Sequence, residues 1–172
     1  TPKGERRIGG DAPTFVIAEV SANHNQKYDK AVEIVKAAAA AGADAVKFQT
    51  YTPDTLTIDC DKPAFLFEGD DNPWKGRKLY ELYRSAYTPW DWLPKLKMEA
   101  ENAGIAFFST VYDATAVDFM ESINVDFYKV GSYEVPHIPL LKRVGQTGKP
   151  VILSIGYASL DEAALAIETL RC

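Results

Sequence analysis

Phe15-Val16-Ile17-Ala18-Glu19, the run from Asp29 to Ala41, and Ala45-Val46-Lys47-Phe48-Gln49 form the stretch that decides the fold. A short apolar run, an alanine-rich helical run and a second short apolar run make a strand-helix-strand unit, with parallel strands and the helix outside the sheet. In the helix, Ala31, Ile34, Val35 and Ala38 recur at helical spacing, and Gly42 stands where a left-handed cap closes the last turn. Its small residues predict close packing on the sheet. The unit recurs. Ile105 to Ser109 precedes a helix from Ala114 to Ile123, and Val125-Asp126-Phe127-Tyr128 is a further strand. Pro150-Val151-Ile152-Leu153 is another, followed by Ser159-Leu160-Asp161-Glu162, a serine in the N-cap position with an acid three residues on. These make about five β/α units, whereas a closed barrel has eight and about 250 residues. The expected fold class is therefore α/β, a TIM-type (β/α)8 barrel that is incomplete.

Between Tyr51 and Trp92 the rhythm breaks into a long stretch rich in Pro, Asp, Gly and aromatics, including Asp70-Asp71-Asn72-Pro73-Trp74-Lys75-Gly76. Long loops after barrel strands serve as lids or substrate walls. Leu79, Tyr80, Leu82 and Tyr83 predict a short helix within it. The 172 residues, 47% of them hydrophobic, suffice for one domain with a sizeable core. A net charge of -5 argues against an extended nucleic-acid surface while leaving room for a local cluster of cations. Cys60 and Cys172 lie far apart without paired spacing, which predicts neither a disulfide framework nor a zinc site and fits a reducing compartment. No apolar run approaches the length of a membrane span, and the opening from Thr1 to Arg7 leads into Gly9-Gly10 rather than an apolar leader. The cytoplasm is the default location.

Polar residues close the apolar strands. Glu19, Lys47, Gln49, Thr110, Lys129, Ser132, Glu134 and Ser154 all fall at or just beyond strand ends, where a β/α barrel builds its active site. Lys47 and Gln49 are two apart and share a face, the inward one if Val46 and Phe48 pack against helices. Two lysines with several hydroxyls suit an anion carrying phosphate and carboxylate. Each residue has a plainer reading. A lone strand-end lysine is as well explained as a snorkelling cation. Glu19 would serve equally as the partner of a lysine in a buried structural ion pair, and Thr110 and Ser154 as hydroxyls satisfied by backbone carbonyls. His24 reads as a loop-fixing hydrogen-bonding residue rather than a metal ligand, and His137 as the start of an outer helix. Trp74, Trp90 and Trp92 either stack a sugar or close the core beneath the long loop.

Four blocks, Phe15 to Asn25, Gly42 to Thr50, Phe127 to Glu134 and Gly148 to Ser154, resemble the sialic acid synthase family over nearly the whole chain and occur in family order. Ser21-Ala22-Asn23-His24, Tyr51-Thr52-Pro53-Asp54-Thr55 and Leu79-Tyr80-Glu81-Leu82-Tyr83, with Ala86 to Trp90, look like its pseudaminic acid synthase branch. The resemblance implies an enzyme that condenses phosphoenolpyruvate with an open-chain N-acetylated amino sugar, 2,4-diacetamido-2,4,6-trideoxy-L-altrose for that branch, to give a nine-carbon 2-keto acid and phosphate. The alternatives are an N-acetylneuraminate or legionaminate synthase, or a non-catalytic remnant that binds a ligand or a partner. It also implies that Lys47, Thr110, Lys129, Ser132 and Ser154 hold phosphoenolpyruvate, that Glu19 is a catalytic carboxylate near the metal and reacting centre that takes a proton or orients the water, and that Gln49 and Glu134 touch the sugar. A manganese or magnesium ion is expected, with the family's two histidine ligands beyond Cys172. Residues 1–172 are then the N-terminal portion of the barrel, lacking the remaining strands and the antifreeze-like domain of a homodimeric enzyme, and the isolated chain is expected to be inactive. The sequence departs from the family at Val111-Tyr112, where Pro-Phe is common, and at Ile155, where a hydroxyl to the phosphate is lost.

Overall fold

The computed structural model describes residues 4–171; Cys172, read above as one of two unpaired thiols, and Thr1 to Lys3 of the opening stretch lie outside them. Five strands, β1 (Ile17–Glu19), β2 (Ala45–Thr50), β3 (Ala106–Val111), β4 (Tyr128–Val130) and β5 (Val151–Leu153), run in sequential order and are all parallel. Seven helices lie between and after them: α1 (Tyr28–Ala40), α2 (Pro53–Leu56), α3 (Leu79–Ala86), α4 (Leu93–Asn102), α5 (Ala114–Ser122), α6 (Ile138–Gly145) and α7 (Leu160–Arg171). A strand order without reversal is that of a barrel rather than a doubly wound sheet. The fold is an incomplete (β/α) barrel.

Period-two alternation sorts each strand into two faces. Val46 and Phe48 of β2 and Phe107 and Val111 of β3 join Val35 of α1, Leu93 and Leu96 of α4, Met120 of α5 and Leu141 of α6 in the main core. On the opposite face, Ala45, Ala106 and Phe108 form a smaller apolar cluster with Phe15, Ile17, Phe127 and Ile152. Continuing along that same inner face toward the C-terminal strand ends, the next residues are Glu19, Lys47, Gln49, Thr110, Lys129 and Ser154. The change from apolar to charged along one face locates the mouth. At the other end, a cavity of about 820 Å³ opens between the arm Glu5 to Ile8 and Phe15, Phe127, Pro150 and Ile152.

Gly42 has φ +88°, and the amides of Gly42 and Ala43 donate to the carbonyls of Ala39 and Ala38, each at 3.0 Å. These two bonds satisfy carbonyls left open by the end of α1. Gly42→Ala is expected to cost about 1 kcal/mol, because a Cβ is strained in the left-handed region. Equilibrium urea unfolding measures this.

Strand limits differ from the apolar runs for identifiable reasons. β1 starts at Ile17, because Asp44 takes over at Val16: its Oδ2 accepts the Val16 amide at 2.8 Å, and its other oxygen pairs with Arg6. β3 runs on through Thr110 and Val111, paired with Gln49 and Thr50 of β2, since every residue of β3 is buried and its backbone groups need ladder partners. β4 lies later than Val125 to Tyr128, reaching Lys129 and Val130.

Candidate active site at the strand ends

Lys47 on β2 is the hub of the mouth. Its ammonium, on a side chain only 13% exposed, pairs with the Glu19 carboxylate of β1 and donates to Thr110 Oγ1 of β3 at 3.1 Å. Glu19 also accepts from the Ser21 amide at 3.1 Å and the Ser21 hydroxyl at 3.0 Å. The ion pair weighed from sequence is therefore present, but the burial assumed for Glu19 is not, since its side chain is 44% exposed. A half-solvated carboxylate is available to other partners in a way that a sealed one is not.

Lys129 sits beside Thr110 in the β3–β4 register. Its ammonium donates to the Val130 carbonyl. Burial, and then the nearby Lys47 cation, hold its pKa below the ordinary lysine value. Glu134 ends a single turn, Ser132–Glu134, that leaves β4. Its carboxylate folds back so closely on Gly131 that a Cβ there would clash with Oε2. Burial raises the Glu134 pKa, only partly offset by a backbone amide hydrogen bond and then by Lys129. Two lysines and two carboxylates from three strands and one turn thus share one electrostatic field.

Ser154 follows β5, and its amide donates to the Val130 carbonyl at 3.1 Å, extending the ladder by one residue. Among the described residues, the side chains of Gln49, Ser132 and Ser154 make no hydrogen bond, so their placement rests on register and on the turn after β4. The plainer reading of Thr110, a hydroxyl bound to a backbone carbonyl, gives way to its bond with Lys47.

The histidines and tryptophans divide. His24 is buried; its Nδ1 accepts from the Gln26 amide and its Nε2 faces Thr88 Oγ1, both at 3.0 Å, while Trp92 meets the ring edge-on. It fixes the loop, and burial lowers its pKa from about 6.5. The unfolded chain then binds a proton that the folded chain refuses, so stability present above about pH 6.5 is lost as pH falls toward the lower folded value. Thermal melts between pH 7.5 and 5.5 are expected to show this loss, with a flatter profile in His24→Gln. Trp90 donates Nε1 to the Tyr51 carbonyl at 3.1 Å and packs on Phe119, so Trp90 and Trp92 belong to the core beneath the long loop. Trp74 lies apart, against Phe67. The three indoles do not form one sugar platform.

Sequence reasoning passed over a tyrosine group. Tyr51 follows β2, Tyr112 follows β3 and Tyr83 lies on α3 of the long loop. Tyr51 meets Tyr83 edge-to-face at 5.8 Å and Tyr112 at 5.5 Å. Burial raises all three phenols, Tyr51 to about 12. The strand-end rule that found Lys47 and Thr110 reaches Tyr51 and Tyr112 when carried one residue past each strand; nothing local marks Tyr83.

Fold and site together define a parallel β/α barrel protein, here incomplete, with two lysines and two carboxylates gathered at the C-terminal strand ends. The pattern of the NeuB family matches residues 34–172, and the chain belongs to that family. Over 152 residues it is 41% identical to the pseudaminic acid synthase of Campylobacter jejuni, covering 88% of this chain and 44% of that protein. To the pseudaminic acid synthase of Helicobacter pylori it is 38% identical over 159 residues, 92% of this chain and 46% of the other. The chain thus spans about half the length of these relatives. The crystal structure of N-acetylneuraminic acid (sialic acid) synthetase from Leptospira borgpetersenii superposes with a TM-score of 0.80 at 29% identity, over 95% of this chain and 52% of that one.

Among the described residues, no three His, Cys, Asp or Glu side chains come together as a metal site. His24 has both ring nitrogens engaged. Glu19 is the one carboxylate on β1 turned toward the mouth, and it does not make a metal centre alone.

Proposed function

We propose that this chain is the phosphoenolpyruvate-binding portion of a nonulosonic acid synthase, of the kind that makes pseudaminic acid from 2,4-diacetamido-2,4,6-trideoxy-L-altrose. The observation that carries the reading is the pairing of Lys47 and Lys129 across Thr110 on one inner face at the strand ends. Relatives that bear the name pseudaminic acid synthase support the choice of product.

In the reaction, C3 of the enol attacks the sugar aldehyde, water adds at C2 and the C–O bond to phosphate breaks. Lys47 and Lys129 neutralise the phosphate and carboxylate, and the hydroxyls of Thr110, Ser132 and Ser154 fix their orientation. Glu19, held by Lys47 and Ser21, orients the water or takes its proton. Gln49 and Glu134 face the acceptor. A manganese or magnesium ion belongs to the same proposal, although the described residues bring no three His, Cys, Asp or Glu side chains together to hold it. A homodimer in the cytoplasm is part of the same proposal, as is inactivity of the chain alone.

Isothermal titration tests the reading. Phosphoenolpyruvate is expected to bind saturably, with inorganic phosphate and pyruvate each at least about tenfold weaker because each meets only part of the cationic pair. Equal affinity for phosphate alone would reduce the site to a simple anion cluster.

A further inference from the structure

Resting on the synthase reading, we infer that Tyr51, Tyr83 and Tyr112 form, with Glu134, the subsite that recognises an acetamido group of the acceptor sugar. The three rings are locked to one another by edge-to-face contacts at 5.8 and 5.5 Å. Tyr51, only 4% exposed, is tied further by its carbonyl to the Trp90 indole at 3.1 Å. Such rings are positioned before any ligand arrives.

Their hydroxyls are a different matter. Tyr80 donates to Asp54 at 2.9 Å and Tyr128 to Glu121 at 2.6 Å, but among the described residues no partner hydrogen-bonds the hydroxyls of Tyr51, Tyr83 or Tyr112. Nor are these oxygens sealed in. Asp113 Oδ1 is the fully buried side-chain polar atom without a partner among the described residues, so each of the three hydroxyl oxygens keeps some exposure to solvent. They open beside the site already described: Glu134 acts electrostatically on Tyr83 and Tyr112, and Glu19 on Tyr112.

Three phenol edges, three free hydroxyls and one carboxylate match the parts of an acetamido group. A phenol O–H donates to the amide carbonyl, the Glu134 carboxylate accepts the amide N–H, and the methyl lies on the rings. An unacylated amine offers Glu134 a cation but leaves the phenols without an acceptor and the ring edges without a methyl. A pocket built to hydrogen-bond a group rejects the analogue that lacks it far better than an apolar pocket does. Tyr112 follows Thr110 by two residues on the same chain, so the subsite stands next to the proposed phosphoenolpyruvate pocket, where the acceptor must lie.

The test uses this chain saturated with phosphoenolpyruvate and titrated with 2,4-diacetamido-2,4,6-trideoxy-L-altrose or its 4-amino counterpart. The diacetamido sugar is expected to bind more tightly. Tyr112→Phe and Tyr51→Phe keep the rings, and each is expected to lower that affinity about three- to tenfold and to narrow the preference over the amine. Phosphoenolpyruvate affinity and the melting temperature are expected to stay unchanged. Undiminished sugar affinity in both variants, or no sugar binding by a chain that binds phosphoenolpyruvate, overturns the inference. Absence of saturable phosphoenolpyruvate binding overturns the reading beneath it instead, and a tyrosine-dependent acetamido preference then still supports the subsite.

Discussion

Lys47→Ala is expected to weaken phosphoenolpyruvate binding by about thirtyfold or more, and Lys129→Ala to do the same by a different route. Removing one partner of a desolvated charge pair costs about 2–5 kcal/mol, and each 1.4 kcal/mol is about tenfold in affinity. For Lys47 the loss is double. The anion loses a cation, and Glu19, which Lys47 now pairs, is left facing the anion as a repulsive charge. Adding Glu19→Gln to Lys47→Ala is therefore expected to recover part of the affinity while leaving the variant weaker than the wild type. A Lys47→Ala variant that binds normally would remove Lys47 from the site; a double variant no better than the single one would remove the repulsion.

Among the described residues Lys129 forms no salt bridge; its ammonium donates to the Val130 carbonyl. Its ammonium is therefore free to turn to an incoming anion, and its depressed pKa adds a signature. Free Lys129 loses its proton at a lower pH than an ordinary lysine, and a bound anion restores the charged form. Binding should then take up a proton on the alkaline side of the free pKa. Titrations in two buffers of different ionisation heat read this uptake directly, and Lys129→Ala should abolish it.

The lysines were legible in the sequence because a charge at the end of an apolar strand conflicts with burial, and that conflict survives in one dimension. Lys47 and Gln49 share a face simply by being two apart, and the register bears this out. The β/α alternation and the cap at Gly42 were legible for the same local reason. What pairs across strands was not. The Lys47–Thr110 bond spans a sequence separation of 63 residues and depends on register. The Thr50–Ser109 hydroxyl bond at 2.7 Å, buried on the outer face, looks in sequence like two ordinary strand polars. Glu19 misled in one respect: its apolar neighbours implied burial, but at the end of a three-residue edge strand the side chain reaches solvent.

The two faces of the sheet should also differ in how they tolerate damage. Phe48 and Phe108 are both fully buried, on adjacent strands and opposite faces. Phe48 sits in the main core under α1 and α4, 5.4 Å from Phe107. Truncating it leaves a void walled by packed helices that relax only in part, so Phe48→Ala is expected to cost about 4 kcal/mol, within the usual range for Phe→Ala. Phe108 packs at 4.2 Å on Phe127, which itself lines the 820 Å³ cavity at the far end of the strands. There Phe127 has room to shift into the gap and water has a path in, so Phe108→Ala is expected to cost less, about 3 kcal/mol. Urea unfolding of both variants measures the difference. If Phe108→Ala proves the more damaging, the inner cluster is a closed core in its own right, and the cavity beside it does not soften the inner face.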